Sequence, residues 1–294
     1  MKRLFYHMKS ALLSIVSLFL LTYSFCQVQE YKVINKESGI GIPYATIRNL
    51  TKKEGIIATD SGIFRLAINP TDSVLISSVG FVPLKIIGSQ IATIIELKPK
   101  FILLKPVTVA NKKSYPVAVL GNENLNKKPT AYWGPGLNAG FAQLINMPDS
   151  ANSILIKKLI IPVRSLNCYG PFLVHIYLPD SSNGLPGEEI LIKKVNLEKK
   201  MVKRGKAFID ISDDEITIGN VPYFYFGFSW LSDASVNNPC LTELGVIMKD
   251  SNAQTESVIR ALSLDFAYWE AGKNSEGHKE LWNTLLSVEA VIYK

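Results

Sequence analysis

Two histidines follow residue 26 in this 294-residue chain, His175 and His278, and they are the first groups to weigh for catalysis. His175 stands in Phe172-Leu173-Val174-His175-Ile176-Tyr177-Leu178, on the parity that also holds Leu173 and Tyr177. A Ser-His-Asp site could be assembled around it, but no G-x-S-x-G elbow occurs, so His175 reads as an outward strand residue. His278 lies in a Gly- and Lys-rich stretch and reads as solvated. No H-E-x-x-H, paired C-x-x-C or P-loop spacing is present, so metal hydrolysis and nucleotide chemistry lack support. Asp213-Asp214-Glu215 is the densest acidic group, and Ca²⁺ takes such oxygens. Its spacing matches no Ca²⁺ loop, and Ser212-Asp213-Asp214 reads as a turn between strands. Carboxylate pairs of glycosidases are set by spatial separation and cannot be read from chain order. The expectation is a protein that is not an enzyme and holds no metal or cofactor.

Aromatic side chains are the remaining pointer to binding. In Tyr223-Phe224-Tyr225-Phe226-Gly227-Phe228-Ser229-Trp230, the set Phe224, Phe226, Phe228 and Trp230 shares one parity and fills a core. Tyr223 and Tyr225 then point outward, and with Trp133 they are the candidate ligand-binding residues, suited to stacking on sugar rings. Tyr132, Tyr268, Trp269 and Trp282 add to the aromatic content of the same half.

The elements that would carry these residues are strands. Ile154 to Val163, Phe172 to Leu178, Glu189 to Leu197, Lys206 to Ile211, Glu215 to Ile218, Tyr223 to Trp230, Val258 to Trp269 and Leu281 to Tyr293 give eight or nine, with no convincing helix. Pro179 to Gly187 is dense in turn formers. The reading is a jelly-roll-like β-sandwich over 137–294, with a small outer-membrane barrel as rival. Before it, residues 111–136 read as a linker, because prolines 116, 129 and 135 and two Lys-Lys pairs interrupt the periodicity.

Residues 27–110 have a different pattern. Pro43 fixes φ at a strand entrance, Asp60-Ser61-Gly62 reads as a tight hairpin turn with Gly62 at positive φ, and Gly80 permits another turn. About seven short strands in about 70 residues indicate a sandwich of Ig or prealbumin type. The elements Gly39-Ile40-Gly41-Ile42-Pro43, Thr59-Asp60-Ser61-Gly62-Ile63-Phe64 and Ser78-Val79-Gly80-Phe81 resemble the carboxypeptidase-like regulatory domain of secreted and envelope proteins of Bacteroidetes-type bacteria. Leu104-Lys105-Pro106-Val107-Thr108-Val109 resembles that family's closing strand, while Tyr31-Lys32-Val33 and Ile57-Ala58 depart from its pattern. The resemblance implies a structural module and an exported location, and no reaction.

Residues 1–26 have the three parts of a secretory signal: Lys2, Arg3 and Lys9, an apolar run from Ala11 to Leu21, and Ser24-Phe25-Cys26. That run is short for a membrane span, so no transmembrane span is expected after its removal. Cys26 leaves lipidation open beside simple cleavage. Cleavage removes three of the 32 basic residues, leaving 29 against 25 acidic ones and a net charge of +4. With no Lys/Arg stripe interleaved with aromatics, nucleic acid is not an expected partner. Cys168 and Cys240 remain, either as an exported disulfide or as two free thiols. Together these features predict a non-catalytic, exported cell-envelope protein (periplasmic, outer-membrane-associated or extracellular) serving as a structural, adhesion or interaction module. Its partner would be an envelope protein or a glycan. The alternatives are a glycan-binding module of a polysaccharide-handling system and a hydrolase.

Overall fold

The structure is a computed structural model, and it describes residues 29–100, 115–121, 128–133, 139–165, 168–231, 240, 242–248, 257–261, 266–271 and 282–294. The expected secretory signal, Cys26, the expected closing strand 104–109 and His278 lie outside the described residues.

Seven strands make the first sandwich. They are β1 (Glu30–Asn35), β2 (Thr46–Asn49), β3 (Glu54–Ile57), β4 (Ile63–Arg65), β5 (Ser73–Ser77), β6 (Leu84–Ile87) and β7 (Ile94–Leu97). They form a three-stranded sheet in the order β4-β1-β7 and a four-stranded sheet in the order β3-β2-β5-β6. The period-2 pattern explains the packing: Val33, Ile47, Phe64, Val74, Ile76, Ile95 and Leu97 are buried in one shared core, with Leu66 and Ile68 packed at its margin. Strand β2 begins at Thr46 rather than at Pro43, because Pro43 and Tyr44 form a turn in which Tyr44 takes φ +56°.

The turn at Asp60-Ser61-Gly62 is not a hairpin. It carries the chain from β3 in one sheet to β4 in the other. The side chain that closes it is Thr59, whose Oγ1 accepts the Ile63 N–H at 3.0 Å, while Asp60 is exposed. Gly62 (φ +79°) and Gly80 (φ +78°) both occupy the left-handed region expected of them.

Asp72 is the buried carboxylate of this unit, 2% exposed. Burial pushes its carboxyl pKa up, but the Asn69 N–H, the Asn49 amide (both 2.8 Å) and the Lys52 ammonium together hold it below the ordinary value. A depressed folded-state pKa stabilises above the unfolded value of about 4, and that stabilisation is lost as pH falls through the folded pKa. The first sandwich should therefore weaken in urea titrations below about pH 4, and Asp72→Asn should flatten that dependence. An unchanged acid limb in Asp72→Asn would remove Asp72 from the account.

Residues 117–121 and 131–133, within the segment expected to be a linker, are strands of the second unit. They are β8 (Val117–Gly121) and β9 (Ala131–Trp133). Pro116 and Pro129 stand at their entrances, where a fixed φ suits the first residues of a strand, so these prolines begin elements rather than break them. Next come β10 (Ala139–Asn146), β11 (Ser153–Arg164), β12 (Phe172–Pro179), β13 (Pro186–Val195), β14 (Val202–Lys203), β15 (Lys206–Asp210) and β16 (Thr217–Gly219). The last are β17 (Tyr223–Trp230), β18 (Glu243–Met248), β19 (Ser257–Ala261), β20 (Phe266–Ala271), β21 (Trp282–Thr284) and β22 (Ser287–Tyr293). The described strands outnumber the eight or nine expected, because β8, β9, β10, β14 and β18 fall outside the runs named from sequence and the runs 258–269 and 281–293 each hold two strands.

One sheet runs β13-β12-β17-β10-β19-β20. The other is built on β14-β15-β11-β18-β21, with β16 and β22 also on β11, β8 on β22 and β9 on β18. Neighbours such as β17 and β10, or β11 and β18, are distant in the chain, so the polypeptide crosses repeatedly between the sheets. Their inner faces share one core that includes Phe141, Phe172, Phe224, Phe226, Phe228 and Trp230 from the first sheet and Ile154, Leu159, Ile209 and Leu244 from the second. The second unit is therefore a packed β-sandwich. A β-bulge between Ile156 and Lys158 explains the long apolar run on β11. It shifts the inward parity from Ile154 and Ile156 to Leu159, Ile161 and Val163. Between the sheets, the Gln143 amide oxygen accepts the Leu286 N–H (2.8 Å) and the Thr284 hydroxyl (3.0 Å). Among the described residues, no helix is long and apolar enough to cross a membrane.

Candidate functional site

The outer face of the six-stranded sheet is where titratable groups converge. Strand β12 has no polar alternation: Phe172, Val174 and Ile176 enter the main core, and Leu173, His175 and Tyr177 are buried on the opposite side. Strand β17 repeats this, with Tyr225, Gly227 and Ser229 on that same outer side. His175 opposes Gly227, so its ring has room; a Cβ at 227 would stand 3.1 Å from His175 Cβ and 3.0 Å from the Tyr177 ring. His175 is thus not the surface residue expected of it. It is 2% exposed, and its ring stacks on Tyr177 at 5.6 Å between centroids.

His175 links two side chains from flanking strands. Its Nδ1 lies 2.5 Å from Glu189 Oε1 on β13, and its Nε2 lies 2.5 Å from Ser229 Oγ on β17. An ionised carboxylate only accepts, so with Glu189 charged the Nδ1–H donates to it and Nε2 accepts the Ser229 hydroxyl proton. Ser229, His175 and Glu189 therefore have the connectivity of a nucleophile, a base and its orienting acid.

The backbone around them does not complete an acyl-transfer site. An oxyanion hole needs N–H groups free to meet the developing charge, one of them commonly from the residue after the nucleophile. Ser229 is mid-sheet, paired with Gly140 of β10 and Leu173 of β12, and Trp230 is paired with Phe172. Their N–H groups lie in the plane of the sheet, and Ser229 is itself 2% exposed. The arrangement reads as a polar row crossing three strands, fully hydrogen-bonded within a covered face.

A concave feature of about 640 Å³ lies elsewhere, between the two sandwiches. One wall is the outer face of the four-stranded sheet, where Thr46 opposes Ser77 and Arg48 opposes Leu75. The other is the start of β13 with the β12–β13 turn. Lys100 Nζ and Glu188 Oε1 meet across it at 2.5 Å. Glu189 lies on this wall too, so the polar row ends at the cleft while Ser229 does not line it.

No protein-family model matches the sequence, and no curated protein matches it. Among solved structures, one described as "Structure of infectious bursal disease virus Gt strain" aligns with 90% of this chain and 54% of its own, at 11% identity and a TM-score of 0.23. This chain thus spans about half the length of that neighbour, and a TM-score so low shows no common fold.

The expected binding aromatics do not assemble. Trp133 is half-buried on β9 and meets Phe141 edge-on at 5.2 Å, as part of the main core. Tyr223 and Tyr225 do point away from that core, as their parity requires, but the tip of the β12–β13 turn folds over them. Both hydroxyls donate to the Gly184 carbonyl, at 3.2 and 2.8 Å, and Tyr225 is 4% exposed. Asp180 shapes that tip by accepting the Ser182 N–H and hydroxyl. The two tyrosines form a satellite cluster with Ala142, Tyr177 and Leu185 rather than an open platform.

Asp213 and Asp214 lie in a short 3₁₀ turn ending at Glu215, and Lys193 Nζ pairs with Asp214 Oδ2 at 2.5 Å. No group of three or more His, Cys, Asp and Glu that could hold a metal ion occurs among the described residues. Cys168 and Cys240 are joined as a disulfide at a sequence separation of 72. Sequence reasoning misses the polar row because alternation alone makes β12 half-exposed. Its unbroken apolar character around one histidine was the available signal.

Proposed function

We propose that the chain is a non-catalytic, exported protein of the cell envelope. It comprises a carboxypeptidase-like regulatory module and a second β-sandwich, and it binds a partner in the cleft between them. The cleft is the observation that carries this reading. Its volume falls within the range of about 300–1,000 Å³ typical of ligand sites, which favour domain junctions. The disulfide supports an oxidising compartment, since such bonds are rare among reduced cytosolic proteins. Fractionation of the native host should recover the chain outside the cytoplasm, starting at residue 26 or 27, with Cys168 and Cys240 resistant to alkylation until reduced. Recovery in the cytoplasm with both thiols alkylated would end the reading.

The Ser229–His175–Glu189 row favours a second reading, a serine hydrolase. A fluorophosphonate probe separates the two. On the first reading the folded protein stays unlabelled, and Ser229→Ala lowers the stability of the second sandwich by about 1 kcal/mol, the scale of one buried hydrogen bond. Labelling at Ser229 that is lost in His175→Ala would establish the hydrolase instead.

A further inference from the structure

We propose that the cleft takes an extended peptide segment of a partner protein, which adds as a strand to the edge of β13. This rests on the cleft being the binding surface, and it names the class of ligand.

Strand β13 ends the six-stranded sheet among the described residues, with β12 on one side of it. Five consecutive residues, Pro186 to Ile190, line the cleft. Successive strand side chains point to opposite faces, so a space bounded by both parities runs along the edge of the strand. At about 3.3 Å per residue this edge presents about 16 Å of main chain. Natural edges are blunted by proline and lysine. Here Pro186 begins the strand and Lys193 and Lys194 mark its far half, while Gly187 to Ile192 contains neither.

Charge sets the chemistry of the occupant. Lys100 pairs with Glu188, Glu189 is bound to His175, Asp180 holds Ser182, and Arg48 is engaged as well. The charged groups of the cleft are therefore already engaged within the protein. What it offers is hydroxyls from Ser77 and Ser181, apolar surface from Leu75 and Ile190, and the edge itself. A strand's edge spaces N–H and C=O groups to match another strand, and main-chain pairing of that kind carries affinity in β-augmentation. Sugar stacking would need an open ring; Tyr177 on this wall is 3% exposed, and Phe81, which also lines the cleft, is half-buried against the first core.

The test is a selection of random twelve-residue peptides displayed on phage against the full disulfide-bonded chain, in parallel with an array of neutral glycans. Selected peptides should slow hydrogen exchange at the amides of residues 187–192. They should bind roughly tenfold or more weakly to Ser77→Trp and to Ser181→Trp, which fill the cleft from opposite walls. The two variants must melt as the parent does, and having one on each wall keeps the test valid if one misfolds. Peptides that leave those amides unprotected overturn the proposal. If glycans alone bind, and both variants abolish it, the strand proposal falls while the cleft remains a binding site. If nothing recovered from either arm responds to the tryptophans, both fall.

Discussion

Gly62→Val should unfold the first sandwich at markedly lower denaturant while leaving the second nearly unmoved. Two costs add at this position. Gly62 has φ +79°, where a β-branched residue carries strain of about 1–3 kcal/mol. Its Cβ would also stand 2.5 Å from the Val33 carbonyl oxygen and 2.9 Å from the Ile42 nitrogen. Those backbone atoms are fixed, since the Val33 N–H donates to Gly62 O at 2.8 Å and the Ile42 N–H donates to Val33 O at 2.9 Å. The expected loss is about 3 kcal/mol or more, from strain and overpacking together. Gly80→Val is the control, because Gly80 has φ +78° and nothing within 4 Å of its Cβ. It should show the strain alone, at about 1–2 kcal/mol. Equal losses in calorimetry would mean that the contacts around Gly62 yield freely. A fall in the second transition comparable to the first would mean that the sandwiches unfold as one unit, although their cores are separate.

The turn at Gly62 shows what the sequence could and could not convey. A positive φ was legible because Asp-Ser-Gly between apolar runs has few other solutions. Its partner strands were not legible, since a turn that joins two sheets and one that closes a hairpin use the same residues. Strands β1, β5 and β7 of the first sandwich were visible because each alternates a buried face with a more exposed one. In the second unit that signal fails. Strands β12 and β17 are covered on both faces, so His175, Tyr225 and Ser229 looked outward by parity and yet are buried. On β11 a single bulge at Lys157 turned a regular alternation into an apparent run. Prolines misled for a related reason: a fixed φ marks a strand entrance as readily as a linker. The cleft was out of reach altogether, because Ser77 and Glu188, more than 100 residues apart in the chain, line it together only once the chain has folded.

Removing the disulfide should markedly destabilise the second sandwich. Cys168 and Cys240 close a loop of 72 residues, and the chain entropy withheld from the unfolded state corresponds to about 4 kcal/mol. The bond joins the segment entering β12 to the one entering β18, so it ties the two sheets together at one end. Two hydrogen bonds reinforce the same corner: Trp230 Nε1 donates to the Thr242 carbonyl (2.7 Å), and Thr242 Oγ1 donates to the Gly170 carbonyl (2.6 Å). These survive in the Cys168→Ser/Cys240→Ser double variant, so the native arrangement should persist at lower stability, with a loss of about 2–4 kcal/mol in the second transition. The first sandwich should keep its transition. Thr242→Val distinguishes the contributions, because it deletes one bond and should cost about 1 kcal/mol. If the double variant loses no more than Thr242→Val does, the hydrogen bonds and the core hold this corner, and the covalent link adds little to them.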